Sequence, residues 1–188
     1  QIVCIKEYYF LLIKIKNGNL IYCLLKIMKE LVLLRHAKSS WDNNLDDRNR
    51  PLIEKGVNRI INVSKASKDF FLNSDIIYSS PAIRALSTAI IMTSVLDINF
   101  SKIQINESLY SFSSQNIMNF IRVIDNKFNR VVCVGHNPAF SEVSNLLGYR
   151  KLIHLPTAGW IKFKFNESDW KHVKKGEVVI GLPKEILP

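Results

Sequence analysis

The chain has 188 residues, 47% of them hydrophobic and 22% charged, with only 7 Gly and 6 Pro. That is apolar mass enough for one domain with a substantial core, and it excludes a disordered, collagen-like or fibrous chain. The formal charge of +10 comes from scattered Lys and Arg with no run of five or more, which reads as solvated surface lysines rather than a nucleic-acid tract.

Residues 1–27 read differently from the rest. Two apolar patches, 8–13 and 20–25, are broken by Lys14, Lys16 and Asn17-Gly-Asn19. Neither approaches the roughly 20 apolar residues of a membrane span, and no small-residue cleavage site follows. The simplest reading starts the functional domain at Met28 and takes 1–27 as an upstream extension or start-site artefact. A hairpin around Asn17-Gly-Asn19 is its one structural expectation. No membrane association is expected.

From Met28 onward, strand and helix patterns alternate. Residues 30–34 form a short continuous apolar run, as in a parallel strand buried on both faces. Pro51 is expected to open a helix, with Ile53, Val57, Ile60 and Ile61 along one stripe. A strand over 74–79 is followed by a helix from Pro81 to about Val95, and a third strand is expected over 103–105. A helix over 113–124 leads to another buried strand over 130–134, and then to a helix over 138–147. The alternation of 159–165 suits an edge or one-sided strand, and 178–182 a last short one. This order predicts an α/β layered domain with a mostly parallel sheet.

Of the three cysteines, Cys4, Cys23 and Cys133, none falls in a CxxC or metal-ligand spacing. Cys133 lies inside a strand pattern and is expected to be an inert core thiol. With no disulfide framework implied, the expected compartment is the reducing cytoplasm.

In parallel sheets the ligand sits beyond the carboxyl ends of the strands. Three strands end in polar residues there: Arg35-His36, Ser80 with the helix after it, and Gly135-His136. A neutral imidazole is a good nucleophile towards phosphorus, which makes His36 the candidate. Arg35 and Arg84 can grip phosphate oxygens, and His136 can donate to them as charge shifts. A metal site is not expected, since no third ligand has a fixed spacing and Arg35 would repel a divalent cation. No Walker A loop or GxGxxG supports nucleotide binding, and no cofactor is implied. Glu107, after the third strand, is the positional candidate for a general acid. Asp42, Asp46 and Asp47 read as ordinary surface or capping carboxylates.

The strings Arg35-His36-Ala37-Lys38-Ser39-Ser40-Trp41, Arg50-Pro51-Leu52 with Gly56, Ser80-Pro81-Ala82 with Arg84-Ala85, and Val134-Gly135-His136-Asn137 occur in this order. Together with 155–159, Asp169-Trp170 and 182–184, they resemble the SixA-type phosphohistidine phosphatases of the histidine phosphatase superfamily. The resemblance covers residues 28–188. It implies a phosphoglycerate-mutase-like three-layer α/β/α sandwich and a metal-independent phosphatase. His36 would be the phosphorylated nucleophile, Arg35 and Arg84 the phosphate clamps, and His136 the second pocket histidine. Glu107 would be the acid, though its match to other branches is not secured, and Ala37 stands where the wider superfamily has Gly. The expected partner is a phosphorylated protein carrying phosphohistidine or a small phosphorylated metabolite, and not nucleic acid. A non-catalytic phosphate-binding module is the reading from a different class.

Overall fold

The computed structural model describes residues 28–41, 45–149 and 151–187, together with the backbone of 4–5, 8–16 and 19–26. In the first segment β1 (Cys4–Ile5), β2 (Tyr8–Lys16) and β3 (Asn19–Lys26) form a separate antiparallel sheet. Lys16 pairs with Asn19, so β2 and β3 make the hairpin expected there, while residues 17–18 at its tip lie outside the described residues. Asp42 also lies outside them.

The main domain runs through β4 (Glu30–Arg35), α1 (Glu54–Ala66), α2 (Lys68–Phe71), β5 (Ile76–Ser79) and α3 (Ile83–Val95). It continues with β6 (Ile103–Ile105), α4 (Ser114–Arg122), β7 (Arg130–Gly135), α5 (Ala139–Leu147), β8 (Trp160–Lys164), β9 (Glu177–Gly181) and α6 (Pro183–Ile186). The six strands are ordered β6-β5-β7-β4-β8-β9. The first four are mutually parallel, and β8 and β9 are antiparallel additions.

Successive side chains of a strand point to opposite faces, so a strand buried on both sides must be apolar throughout. Leu31 and Leu33 of β4 and Val131 and Cys133 of β7 pack on one face with Ile117, Ile121, Phe140 and Val143 of α4 and α5. Val32 and Leu34, with Val132 and Val134, pack on the other with Ile60 and Val63 of α1 and Ala85, Ala89 and Met92 of α3. The result is the α/β/α sandwich with a mostly parallel sheet. Cys133 is fully buried, and burial raises its thiol pKa far above the ordinary value, which leaves it protonated and inert.

Local expectations needed three corrections. The helix expected at Pro51 begins at Glu54, because Leu52 bridges Ser39 and the Ile53 amide donates to the Lys38 carbonyl. Likewise α3 begins at Ile83, since Ser80, Pro81 and Ala82 form the turn that leaves β5. Of the two alternatives for 159–165, an edge or a one-sided strand, the edge is excluded: β8 lies between β4 and β9, and its Lys162 reaches Glu30 Oε2 at 2.9 Å. That ion pair is why a lysine is tolerated on an interior strand.

Gly56 fastens the loop after β4 to α1. A Cβ at this position would lie 2.1 Å from the Lys38 carbonyl oxygen, so the helix can approach the loop only without a side chain. We expect Gly56→Ala to destabilise the fold by about 2–3 kcal/mol despite the better helix propensity of Ala. Urea unfolding checks this, and a variant as stable as the wild type would show that the loop can retreat at no cost.

Candidate active site

The parallel pairing of β4 with β7 sets Arg35 opposite Gly135, so the residues that follow, His36 and His136, emerge side by side. The His36 amide donates to the Gly135 carbonyl at 3.0 Å and the Ser80 amide to that of Val134 at 2.9 Å, which extends the ladder past the strand ends. The imidazole centroids stand 5.1 Å apart. Gly135 is needed because Phe140 of α5 lies where its Cβ would point, 2.6 Å away.

Each histidine is held by one ring nitrogen. His36 Nδ1 donates to the Ala37 carbonyl at 2.7 Å, and since a carbonyl can only accept, the proton is on Nδ1 and the Nε2 lone pair is free. The Ala37 amide in turn donates to Thr88 Oγ1, whose hydroxyl donates to the Arg84 carbonyl, so α3 braces the loop. His136 Nε2 meets Ser80 Oγ at 2.8 Å, and its Nδ1 is buried with no partner among the described residues. Ser80 Oγ accepts the Ala82 amide and keeps both its hydrogen and a second lone pair for Nε2, so this bond fits either His136 tautomer.

Burial is the main reason both rings stay neutral. It takes His36 down to about 4, helped by the charges of Arg84, Arg35 and Arg50 and opposed by the Ala37 hydrogen bond. Burial with the neighbouring His36 and Arg84 takes His136 to about 3.

Arg84, only 2% exposed, projects from the first turn of α3, and Asp47 is the carboxylate that engages it. Arg84 Nη2 donates to Asp47 Oδ2 at 2.9 Å and Nη1 donates to the Asp47 backbone carbonyl. Arg50 donates to Asp47 Oδ1 at 2.8 Å, to Ser39 Oγ and to the Ser40 carbonyl, with its guanidinium 3.6 Å from the Trp41 ring centre. The Tyr110 hydroxyl completes the set on Asp47 Oδ2 at 2.8 Å. Burial alone would raise the Asp47 pKa, but donors from Tyr110, Arg50 and Arg84 outweigh it and hold it at about 2. Arg35 donates to the Leu155 carbonyl and meets His154 Nε2, and its Nε, like that of Arg84, is buried without a partner among the described residues.

These groups line one open cleft of about 370 Å³, which also takes in Lys38, Lys55, Arg59, Phe112, Asn137 and Thr157. Arg35, His36, Arg84 and His136 are therefore together in it. Glu107 is not among its lining residues. It opens a 3-10 turn beyond the edge strand β6, its carboxylate held by Arg48 at 2.5 Å, and lines a separate depression with Ser108. Asp47 and Arg50 are the residues the spacing left unassigned. Asp47 looks like a loop carboxylate until Arg84 and Tyr110 meet it, although Arg50 had a signal in the Arg50-Pro51-Leu52 string. Among the described residues no group of three or more His, Cys, Asp or Glu could hold a metal.

The paired histidines and arginines lie beyond the parallel strands of an α/β/α sandwich, the layered fold of the phosphoglycerate-mutase-like proteins. Residues 31–114 match the family model of the histidine phosphatase superfamily, branch 1. An uncharacterized chloroplastic protein of Arabidopsis thaliana is 30% identical over 133 residues, 64% of this chain, and the chain spans 60% of that protein's length. A Nakamurella multipartitia protein assigned as phosphohistidine phosphatase SixA has the same fold, with a TM-score of 0.72 at 18% identity over 83% of this chain and 96% of that one. So does the protein histidine phosphatase SixA complexed with tungstate, at 0.68 and 17% identity over 83% and 98%. A Bacillus anthracis phosphoglycerate mutase matches at 0.64 and 16% identity over 82% and 92%.

The neutral histidines set a pH dependence of stability. Above about pH 6.5 both rings are neutral folded and unfolded, and contribute no slope. Below it the unfolded chain takes up protons that the folded rings refuse until about pH 4 and 3. Stability therefore decreases as the pH is lowered across that window, by at most about 1.4 kcal/mol per pH unit for each ring. Urea unfolding at pH 7, 5 and 4 should show a shallower slope in His36→Gln and His136→Gln, and equal slopes would assign the protons elsewhere.

Proposed function

We propose that this chain is a metal-independent phosphatase that passes the phosphoryl group through His36, with protein phosphohistidine as its substrate. The observation that carries the reading is the state of His36: neutral, with Nδ1 tied to a backbone carbonyl and Nε2 free beside Arg84, Arg35 and His136. The Nε2 lone pair attacks phosphorus as the bond to the leaving nitrogen breaks, and the substrate ring, protonated on its other nitrogen, departs as neutral imidazole. Water then attacks phospho-His36 and releases phosphate, returning the imidazole to its neutral form. The buried Nε of Arg35 and of Arg84 are donors with no competing partner among the described residues, available to oxygens that gain charge in both steps, and His136 Nδ1, also without one, joins them in its Nδ1-protonated tautomer.

The leaving group favours phosphohistidine. The one carboxylate among the cleft-lining residues, Asp47, is held ionised by three donors and carries no proton to give at neutral pH. An alkoxide needs that proton, whereas a phosphohistidine ring protonated on its other nitrogen leaves as neutral imidazole without one. The fold shared with a protein histidine phosphatase that takes tungstate, a tetrahedral oxyanion, supports the same reading.

Dephosphorylation of a phosphohistidine peptide in EDTA, beside a small alkyl phosphate, tests it. The wild type should turn over the peptide preferentially and His36→Ala should not turn it over at all. Arg84→Ala should lose about 2–4 kcal/mol of transition-state stabilisation, by analogy with a lost oxyanion donor. Turnover that dies with EDTA, or that survives in His36→Ala, would remove the metal-free histidine nucleophile. Unchanged kinetics in Arg84→Ala would remove that arginine from the site.

A further inference from the structure

Among the described residues six cationic side chains line the cleft, Arg35, Lys38, Arg50, Lys55, Arg59 and Arg84, with Asp47 as the only carboxylate. That carboxylate is taken up by Arg50 and Arg84. A phosphoryl group brings about −1.5 to −2 charges, which Arg35 and Arg84 suffice to meet. Lys38, Lys55 and Arg59 are surplus, and none of them has an ion-pair partner among the described residues.

The three are placed together by structure. Lys55 and Arg59 are four apart on α1 and share a face. Lys38 is brought to the same helix by the bond from the Ile53 amide to its carbonyl and by the close approach of Gly56. Arg59 is oriented by a hydrogen bond from Nη1 to Thr157 Oγ1 at 3.1 Å. Like charges at helical spacing repel, so this grouping costs the free protein stability that an anion would restore.

We propose that the substrate carries a second anionic group beside its phosphoryl group, and that Lys38, Lys55 and Arg59 bind it. The proposal rests on the phosphatase reading and refines it. Because Lys38 and Lys55 are solvent-exposed at the mouth of an open cleft, the second anion reaches them from outside the catalytic pocket. A carboxylate flanking the phosphorylated residue of an acidic protein segment meets this need, and a second phosphate has the same chemistry.

The experiment compares wild type with Lys38→Ala/Lys55→Ala, which alters exposed side chains and keeps the Arg59–Thr157 bond. Its first arm uses phosphohistidine peptides that differ only in Glu or Gln at the flanking positions. Its second measures binding of inorganic phosphate and pyrophosphate by calorimetry. A Glu peptide favoured in kcat/KM by roughly five- to tenfold, mainly through KM and weakening as salt rises, is expected in the wild type. The preference should vanish in the variant. Tighter pyrophosphate than phosphate binding, lost in the variant and without a Glu preference, would assign the second anion as a phosphate. If neither peptide is turned over but pyrophosphate is preferred, the phosphatase reading fails and the subsite stands. No preference in either arm, or a preference that persists in the variant, overturns the proposal.

Discussion

The candidate site depends first on the parallel hydrogen-bonded ladder between β4 and β7. It runs in register from Glu30 opposite Arg130 to Arg35 opposite Gly135, and the bond from His36 to the Gly135 carbonyl carries it one step further. One residue of slip would turn every side chain of β4 to the other face and separate the two imidazoles. The register is secured by burial on both sides, since any slip would also exchange Leu31 and Leu33 with Val32 and Leu34 between two differently shaped cores.

On that frame, the electrostatics are those of a neutral pair within a field of cations. Two buried histidines beside Arg84 and Arg35 stay unprotonated because burial and positive charge both oppose a proton. The arginines cannot shed theirs, so they remain charged and largely buried. Asp47 makes this tolerable by bringing one carboxylate to Arg84 and Arg50 together, with Tyr110 sharing the load. The cleft stays strongly positive even so, and polar atoms of Arg35, Arg84 and His136 remain without partners among the described residues. Buried donors left unpaired cost stability, and a binding site for an oxyanion is where such a cost has a use.

Much of this was legible in the chain because it is written locally. A strand buried on both faces must be a continuous apolar run, and 30–34 and 130–134 are such runs, each ending at a histidine. Polar residues just past strand ends converge in any parallel sheet, which is why Arg35, His36 and His136 could be grouped before a structure was in hand. Other features depended on distant contacts. β8 suits an edge or one-sided strand because its lysines alternate with apolar residues, and only its ladder with β9 on the side away from β4 makes it interior. Glu107 seemed well placed after a strand, but that strand is the sheet's edge and Arg48 holds the carboxylate away from the cleft.

The sequence by itself determined the layered α/β class, the strands that carry the histidines, and the residue types for phosphoryl chemistry. Each follows from short-range periodicity and from where an apolar run must stop. Tertiary structure alone decided which carboxylate faces Arg84, which hydroxyl meets the His136 ring, and which histidine meets Arg35. These are matters of distance between segments 37 to 119 positions apart. Ion-pair and hydrogen-bond energies fall off within a few ångströms, and no local pattern in the chain encodes separations of that kind.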